Sequence, residues 1–452
     1  MSKPLQRCRE IVARDREVLS RASRISYYPL VVSRAKGSRI WDADGNEYLD
    51  LLSGAAVNNL GHCHPEVVRA IEAQARELIH NTLAYTYYEQ AVTLAEKLVR
   101  LTPGGFPKKV SFGLSGGDSN DGAMKLARAA TGRPKIVSFL GSYHGTTFGA
   151  LTLSAISLNM RRRLGPLVPE VYHVPYADCY RCYFGLDYPS CGLQCVEHIE
   201  TLLGMLIPAE EVAAFILEPI QGDAGVVVPP GEFWPEIKGL CEENGILFID
   251  EEVQTGFGRT GKMFAIEHWG VEPDAVISAK PIASGLPMGV IVARRELMDS
   301  WAAPAHLFTA EANPVICAAA LATLGVIERE ALAERARRLG EKAMRRFGEM
   351  GERFDLIGDV RGRGLLIGVD LVADRETREP ARREALKVCW RAWERGLVMI
   401  SFGRYGNVLR IAPPLTMGED ELEEALSIVE DSIGDVAEGK VPDSVLREMG
   451  GW

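Results

Sequence analysis

The sequence predicts an α/β fold: a large domain with a mostly parallel sheet flanked by helices, plus a smaller α+β domain formed by both termini. Three observations predict it. From about residue 61 to 310, apolar runs (KKVSFGL, KIVSFL, VYHVPY, AAFILEP, GILFID, AVISA, GVIVAR) alternate with helix-length segments. Strands separated in this way imply crossover connections and a parallel sheet. Polar residues gather just beyond those runs, where the ligands of such sheets bind. Outside that stretch, at both ends of the chain, the pattern changes.

At the N-terminus, MSKPLQRCREIVARDREVLSRAS mixes Arg with Glu10, Asp15 and Glu17 and has no apolar core. It reads as a surface helix rather than a targeting peptide. RIWDADGNEYLDL reads as a hairpin turning at Asp44-Gly45. The expected divisions are therefore 1–60 for this helix and hairpin, 61–318 for the large domain and 319–452 for the C-terminal portion of the small one. Within 319–452, a pair of long charged helices, broken near Glu330, leads to the strand pair GDVRGRGLLIGVDLV, another helix and the strand NVLRIAPPL.

The chain of 452 residues is too long for one ordinary core. Its net charge of −10, with no basic block, argues against nucleic-acid binding. No apolar run approaches the roughly 20 residues that span a bilayer, so a cytoplasmic location is expected. Five of the nine cysteines are scattered singly; the others form Cys179-x2-Cys182-x8-Cys191-x3-Cys195. That spacing suits a zinc knuckle, disulfides or free thiols packing a loop. The segment is read as an ordered insertion, outside the chemistry, and no metal is assigned to the reaction.

The chemistry collects at strand ends. Ser115-Gly116-Gly117-Asp118 follows a strand and opens a helix, an arrangement that serves equally as a phosphate cradle or as a plain N-cap turn. Tyr143, in GSYHGTT, is placed to stack on a planar ligand or to pack a loop; its neighbour His144 is not read as a proton carrier. Lys280 ends AVISA and is followed by the small residues PIASGLPMG. A lysine with that much room at a strand end is a nucleophile able to condense with an aldehyde. FIDEEVQTGFGRTG places three acids, Asp250, Glu251 and Glu252, on the end of an apolar strand, where they call for a cation. Cradle, aromatic plate, lysine and acid together describe a pyridoxal phosphate site, the acid facing the protonated pyridine nitrogen.

EEVQTGFGRTGKMFAIEHWGVEPDAVISAKPIASGLP closely resembles the signature of class III aminotransferases, pyridoxal phosphate enzymes of fold type I. Family-like text also appears at Leu51–Val67, Tyr143–Gly145, Glu218–Gly222 and Val408–Leu415. The resemblance implies that Lys280 is the Schiff-base lysine, Tyr143 covers the ring, Ser115, Gly116 and Gly117 hold the phosphate, and Gln254 bonds the ring hydroxyl. It implies a homodimer with shared active sites, in which Thr309 reaches the phosphate across the interface. Arg410 matches the arginine that grips a substrate carboxylate, Asp223 the acid able to pair with that arginine, and Glu218 lines the site. Two departures matter: Gly117 replaces the usual Ser or Thr, and the usual pyridine-binding Asp falls at Glu251. Counting back from Gln254 and from Lys280 favours Glu251; a one-residue bulge would bring in Asp250 instead.

The leading expectation is amino transfer between an amino acid or ω-amino acid donor and a 2-oxo acid. The C-terminal text also resembles the branch with amino-lactam racemases and dialkylglycine decarboxylases. Racemisation or epimerisation of an amino acid or derivative, or decarboxylating transamination, is the alternative. A non-catalytic relative would be expected to have lost Lys280.

Overall fold

The computed structural model describes residues 4–451; residues 1–3 and 452, the outermost ends of the expected first and last segments, lie outside the described residues. The chain divides into two compact units, Pro65–Ala333 and Met1–His64 with Glu334–Trp452.

The larger unit is built on a seven-stranded sheet. Its order is Lys108–Gly113, Gly289–Arg294, Ala275–Ser278, Leu247–Glu251, Val212–Leu217, Lys135–Phe139, Val171–Val174. Gly289–Arg294 runs antiparallel to both neighbours, and the other pairs are parallel. Val212–Leu217 is buried at every position, as a strand covered on both faces must be. One face packs Ala123, Leu126 and Ala127 of the helix Gly116–Thr131 against Ile136, Ile216, Ile249 and Ile277. Aromatic side chains fill another region of the core: Phe139 meets Trp234 edge-on at 5.7 Å and Tyr176 at 5.8 Å. Each buried side chain of this size contributes roughly 1.5–3 kcal/mol.

The helix Pro314–Arg329 corrects the expectation of two charged helices. Its buried residues include Cys317, Ala319, Ala320, Leu324 and Ile327, and it packs on the helix Pro65–Glu77. Only the helix after it, Leu332–Arg353, carries a strongly charged face. The larger unit therefore runs through the first of the two helices and ends at Ala333.

The smaller unit joins both ends of the chain. The hairpin strands Arg39–Asp42 and Glu47–Asp50 turn at Asp44-Gly45, with Gly45 at φ 89 and Asp42 Oδ1 accepting from the amides of Asp44 (3.0 Å) and Asn46 (2.8 Å). Leu397–Val398 pairs in parallel with Glu47–Asp50. A second sheet orders Ile357–Arg363, Leu366–Asp374, Val408–Ile411 and Ile400–Phe402. The run LVMISF, which sequence periodicity did not resolve, thus supplies short strands to both sheets. No helix among the described residues is long and apolar enough to cross a membrane.

Candidate active site

The candidate site lies in the larger unit, beyond the carboxyl ends of its strands. After Lys108–Gly113, Ser115 caps the helix Gly116–Thr131. Its hydroxyl accepts from the Asp118 amide (3.2 Å), while Asp118 accepts from the amides of Ser115 (3.0 Å) and Leu114 (2.7 Å). The amides of Gly116 and Gly117 fall in the first turn, where no intrahelical acceptor exists and the positive end of the helix dipole attracts an anion. Crowding explains one of these glycines. A Cβ on Gly116 would stand 3.0 Å from the Val253 methyls, whereas one on Gly117 would meet nothing nearer than 3.6 Å. Asn120 ties the cradle to the aromatic loop, its Nδ2 donating to the carbonyls of Gly116 (2.9 Å) and His144 (3.0 Å). Asp121 Oδ1 accepts from the Ala150 amide (2.6 Å), in the first turn of the helix Phe148–Leu153, and so ties that helix to Gly116–Thr131.

The acids separate by side of their strand. Glu251 Oε1 accepts from the Val253 amide (2.9 Å) and Oε2 lies 3.1 Å from His144 Nδ1. Burial pushes its carboxyl up to about 7, opposed by the attraction of Lys280. His144 is fully buried, and desolvation pulls its pKa down to about 4. That favours the neutral imidazole, whose Nδ1 shares a hydrogen bond with Glu251 Oε2. Sequence reasoning passed over His144 because a lone histidine carries no signal; only the fold puts it beside Glu251. Glu218 accepts from the amides of Tyr143 (2.9 Å) and Gly222 (3.1 Å), so it orders two loops at once. Burial, then the charge of Glu251, pushes its pKa up to about 8.

Asp250 projects to the other side. Both its oxygens are buried, facing only the carboxyl of Glu252, and burial, then the charge of Glu252 and a hydrogen bond shared with it, raise its pKa well above the carboxylate range. Glu252 accepts from the Ile266 amide (2.9 Å) and from Thr255 Oγ1.

Tyr143 is half-buried, its phenol raised by burial and then by Asp223, Glu251 and Glu218. Gln254 Nε2 donates to Asp223 Oδ1 (3.3 Å), while its Oε1 is buried with no partner among the described residues. Gly222 makes room for it, since a Cβ there would stand 2.3 Å from that oxygen. Lys280 follows the strand Ala275–Ser278 at φ 21, the left-handed region that non-glycine residues rarely adopt, and is half-buried rather than buried. Thr309 is exposed. Arg410, in the smaller unit, is buried with its guanidinium 3.8 Å from the Phe402 ring centroid.

These residues fit pyridoxal phosphate. The cradle offers open amides, Gln254 offers an unused acceptor, and buried carboxylates that are costly to ionise gain from a cation at the pyridine nitrogen.

Comparisons with known proteins agree. Residues 21–433 match the family model described as Aminotransferase class-III. The chain is 48% identical to leucine/methionine racemase of Thermococcus litoralis, over 98% of this chain and 99% of that protein. It is 44% identical to isoleucine 2-epimerase of Lentilactobacillus buchneri, over 99% of each. Its identity to 4-aminobutyrate aminotransferase of Mycobacterium leprae is 39%, over 90% of this chain and 91% of that one. Among solved structures, an amine transaminase from an uncultivated Pseudomonas species in its PLP-bound form superposes with a TM-score of 0.84 at 31% identity, covering 90% of this chain and 94% of that one. An (S)-enantioselective omega-transaminase from Thermomicrobium roseum gives a TM-score of 0.87 at 32% identity, covering 95% and 98%.

Proposed function

This chain belongs to the class III aminotransferase family, and within it we propose that the enzyme inverts the α-carbon of neutral amino acids as a racemase or epimerase. The observation that carries the reading is likeness over almost the full length: 48% and 44% identity to a racemase and an epimerase, against 39% over 90% of the chain for an aminotransferase. This shifts the weight away from amino transfer, the reading expected from sequence. Arg410 does not discriminate, because α-amino acids carry the carboxylate it was assigned to grip.

Pyridoxal phosphate, the cofactor of the family, supplies an electron sink that acidifies the substrate Cα–H. Lys280 is the residue assigned to carry the cofactor and to move the Cα proton. Glu251 would pair with the protonated pyridine nitrogen, with His144 holding Glu251 from behind. Tyr143 would cover the ring, Gln254 would bond its hydroxyl, and the amides of Gly116 and Gly117 would hold the phosphate. In the proposed homodimer Thr309 completes the neighbouring phosphate site.

Amino transfer stands as the second reading, favoured by the transaminases among the superposed structures. Both reactions remove the same Cα proton; racemisation returns a proton to Cα, whereas amino transfer passes the amino group on to a 2-oxo acid. Single enantiomers of leucine, methionine, isoleucine and alanine, incubated with holoenzyme and followed by chiral chromatography, separate the two. We expect the opposite configuration at Cα to appear without any 2-oxo acid, and Lys280→Ala to abolish it. Conversion that requires an added 2-oxo acid, with that acid aminated in step, would sink the racemase reading.

A further inference from the structure

Between the strand Val171–Val174 and the helix Gln194–Met205 runs a long connection of turns without a strand or a helix. A connection of this length inside a compact unit needs something to hold it. Its four cysteines, Cys179, Cys182, Cys191 and Cys195, line one small cavity of about 20 Å³, space for a single water-sized guest. All four are free thiols and all are partly buried. They are electrostatic neighbours. Cys195, Cys191 and Cys182 lie within electrostatic reach of Cys179, as Cys191 and Cys182 do of Cys195.

The backbone presents the thiols in two arms. In the first, Gly185 N donates to Cys182 O (3.1 Å) and closes the turn after Cys179-x2-Cys182. In the second, Gln194 N donates to Cys191 O (3.1 Å), and left-handed Gly192 (φ 56) and Leu193 (φ 58) swing Cys195 onto the first turn of the helix. A helix N-terminus favours a thiolate there.

We propose that this loop is a structural metal site in which Cys179, Cys182, Cys191 and Cys195 bind one thiophilic divalent cation, Zn²⁺, independently of the reaction. Four thiols lining one small cavity supply the donor set of the four-cysteine sites of zinc, in which Zn–S is near 2.3 Å. Each S–H gives up its proton as a Zn–S bond forms, so four protons leave and the site carries a net charge of −2. Binding is linked to pH, because the metal competes with protons for the four sulfurs and affinity climbs as pH rises.

Closure around the ion belongs to the proposal. Among the described residues, the group of ligating side chains whose atoms already lie within 4.8 Å of one another is Cys8, Asp42 and Asp44. There the carboxylates are committed: Asp42 holds Asp44 N and Asn46 N, and Asp44 holds Arg7 N and Cys8 N. The loop sulfurs stand wider apart than that, so side-chain rotation toward the ion must complete the tetrahedron. The loop follows Tyr176, whose hydroxyl donates to the carbonyls of Glu218 (3.1 Å) and Pro219 (3.0 Å), so holding it also steadies one wall of the candidate active site.

The test is metal content. Full-length holoenzyme expressed in zinc-supplemented medium should hold about one zinc per chain by mass spectrometry. The Cys179→Ser/Cys182→Ser double variant should lose at least nine-tenths of it, and Cys63→Ser none. Should the double variant fail to fold, the wild-type chain stripped of metal and titrated with Co²⁺ should develop sulfur-to-cobalt charge-transfer absorption and the intense visible bands of a tetrahedral site, both removed by added Zn²⁺. Wild-type protein without zinc and without that cobalt spectrum overturns the proposal. So does a denatured, unreduced chain with fewer than nine titratable thiols, because disulfides would then close the loop. So does zinc retained by a folded double variant.

Discussion

The strand Leu247–Glu251 carries acids on two sides, and the two sides have opposite characters. Glu251 and the neighbouring Glu218 are gripped: backbone amides and His144 hold their oxygens, and Lys280 attracts Glu251. Asp250, one residue away, is buried with no amide or cation on its oxygens, only the carboxyl of Glu252. Donors and the attraction of Lys280 limit the rise of Glu251 to about 7, whereas Asp250, with no such attraction, is raised well above the carboxylate range. Adjacent residues of identical charge thus differ because the strand pleat sends them to different solvents.

The comparison is broken most directly at Glu251. Replacing it by Gln removes one member of a buried charge pair once the pyridine nitrogen is in place, and such losses cost about 3–5 kcal/mol. We expect Glu251→Gln to cut kcat by about a hundred- to a thousand-fold while cofactor still binds by absorbance. Retention of most of the activity would move the pyridine contact elsewhere. Next is His144→Ala. A hydrogen bond to a charged group contributes about 1.5–3 kcal/mol, so kcat should fall by about ten- to a hundred-fold, with partial recovery in His144→Asn, which keeps a donor. A purely packing role would show as lost thermal stability without the recovery in turnover.

A third effect follows from titration in the apoenzyme. Glu251 and Glu252 sit near 7 and Glu218 near 8, all raised by burial. Groups raised by folding stabilise the protein while protonated and lose that contribution as pH climbs through the folded pKa. His144, depressed to about 4, acts in the other direction, but only below about pH 6.5, the unfolded value. From about pH 6.5 to 8.5 the apoenzyme Tm should therefore fall, and the holoenzyme curve should be flatter because the cofactor brings a cation to these carboxylates. Equal slopes for both forms would disconnect the carboxylates from the cofactor. The smallest effect belongs to Asp250→Asn. Amide and neutral carboxyl are close in shape, and the amide can still donate to Glu252, so stability should change by less than about 1 kcal/mol and kcat by less than about two-fold. A large loss of activity would reverse the two sides.

Much of this was legible in the sequence, and for definable reasons. Strands such as AAFILEP and GILFID are apolar throughout because both faces of the sheet are covered. The site residues were readable because they follow strand ends in short motifs, where chain order alone brings them near one another. The arrangement of carboxylates was readable only as far as register: counting from Gln254 and Lys280 favours Glu251, but the counting says nothing about what surrounds it. His144 beside Glu251 and Asn120 bridging two loops depend on contacts 107 and 24 residues apart. No local pattern encodes such pairs. The short strands near Ile400 and the apolar helix Pro314–Arg329 were missed because their partners, rather than their composition, define them.

By itself, the sequence determined the α/β architecture, the strand-end motifs with Lys280 and the acids, and the family that they imply. Periodicity and chain order are local properties, and they survive in a linear text. The tertiary structure alone decided which side each acid of Asp250–Glu252 faces, which groups hold Glu251 and Glu218, and that four cysteines share one cavity. Those are matters of burial and of distance between remote segments. The free energy of a buried charge depends on them more than on the identity of the residue that carries it.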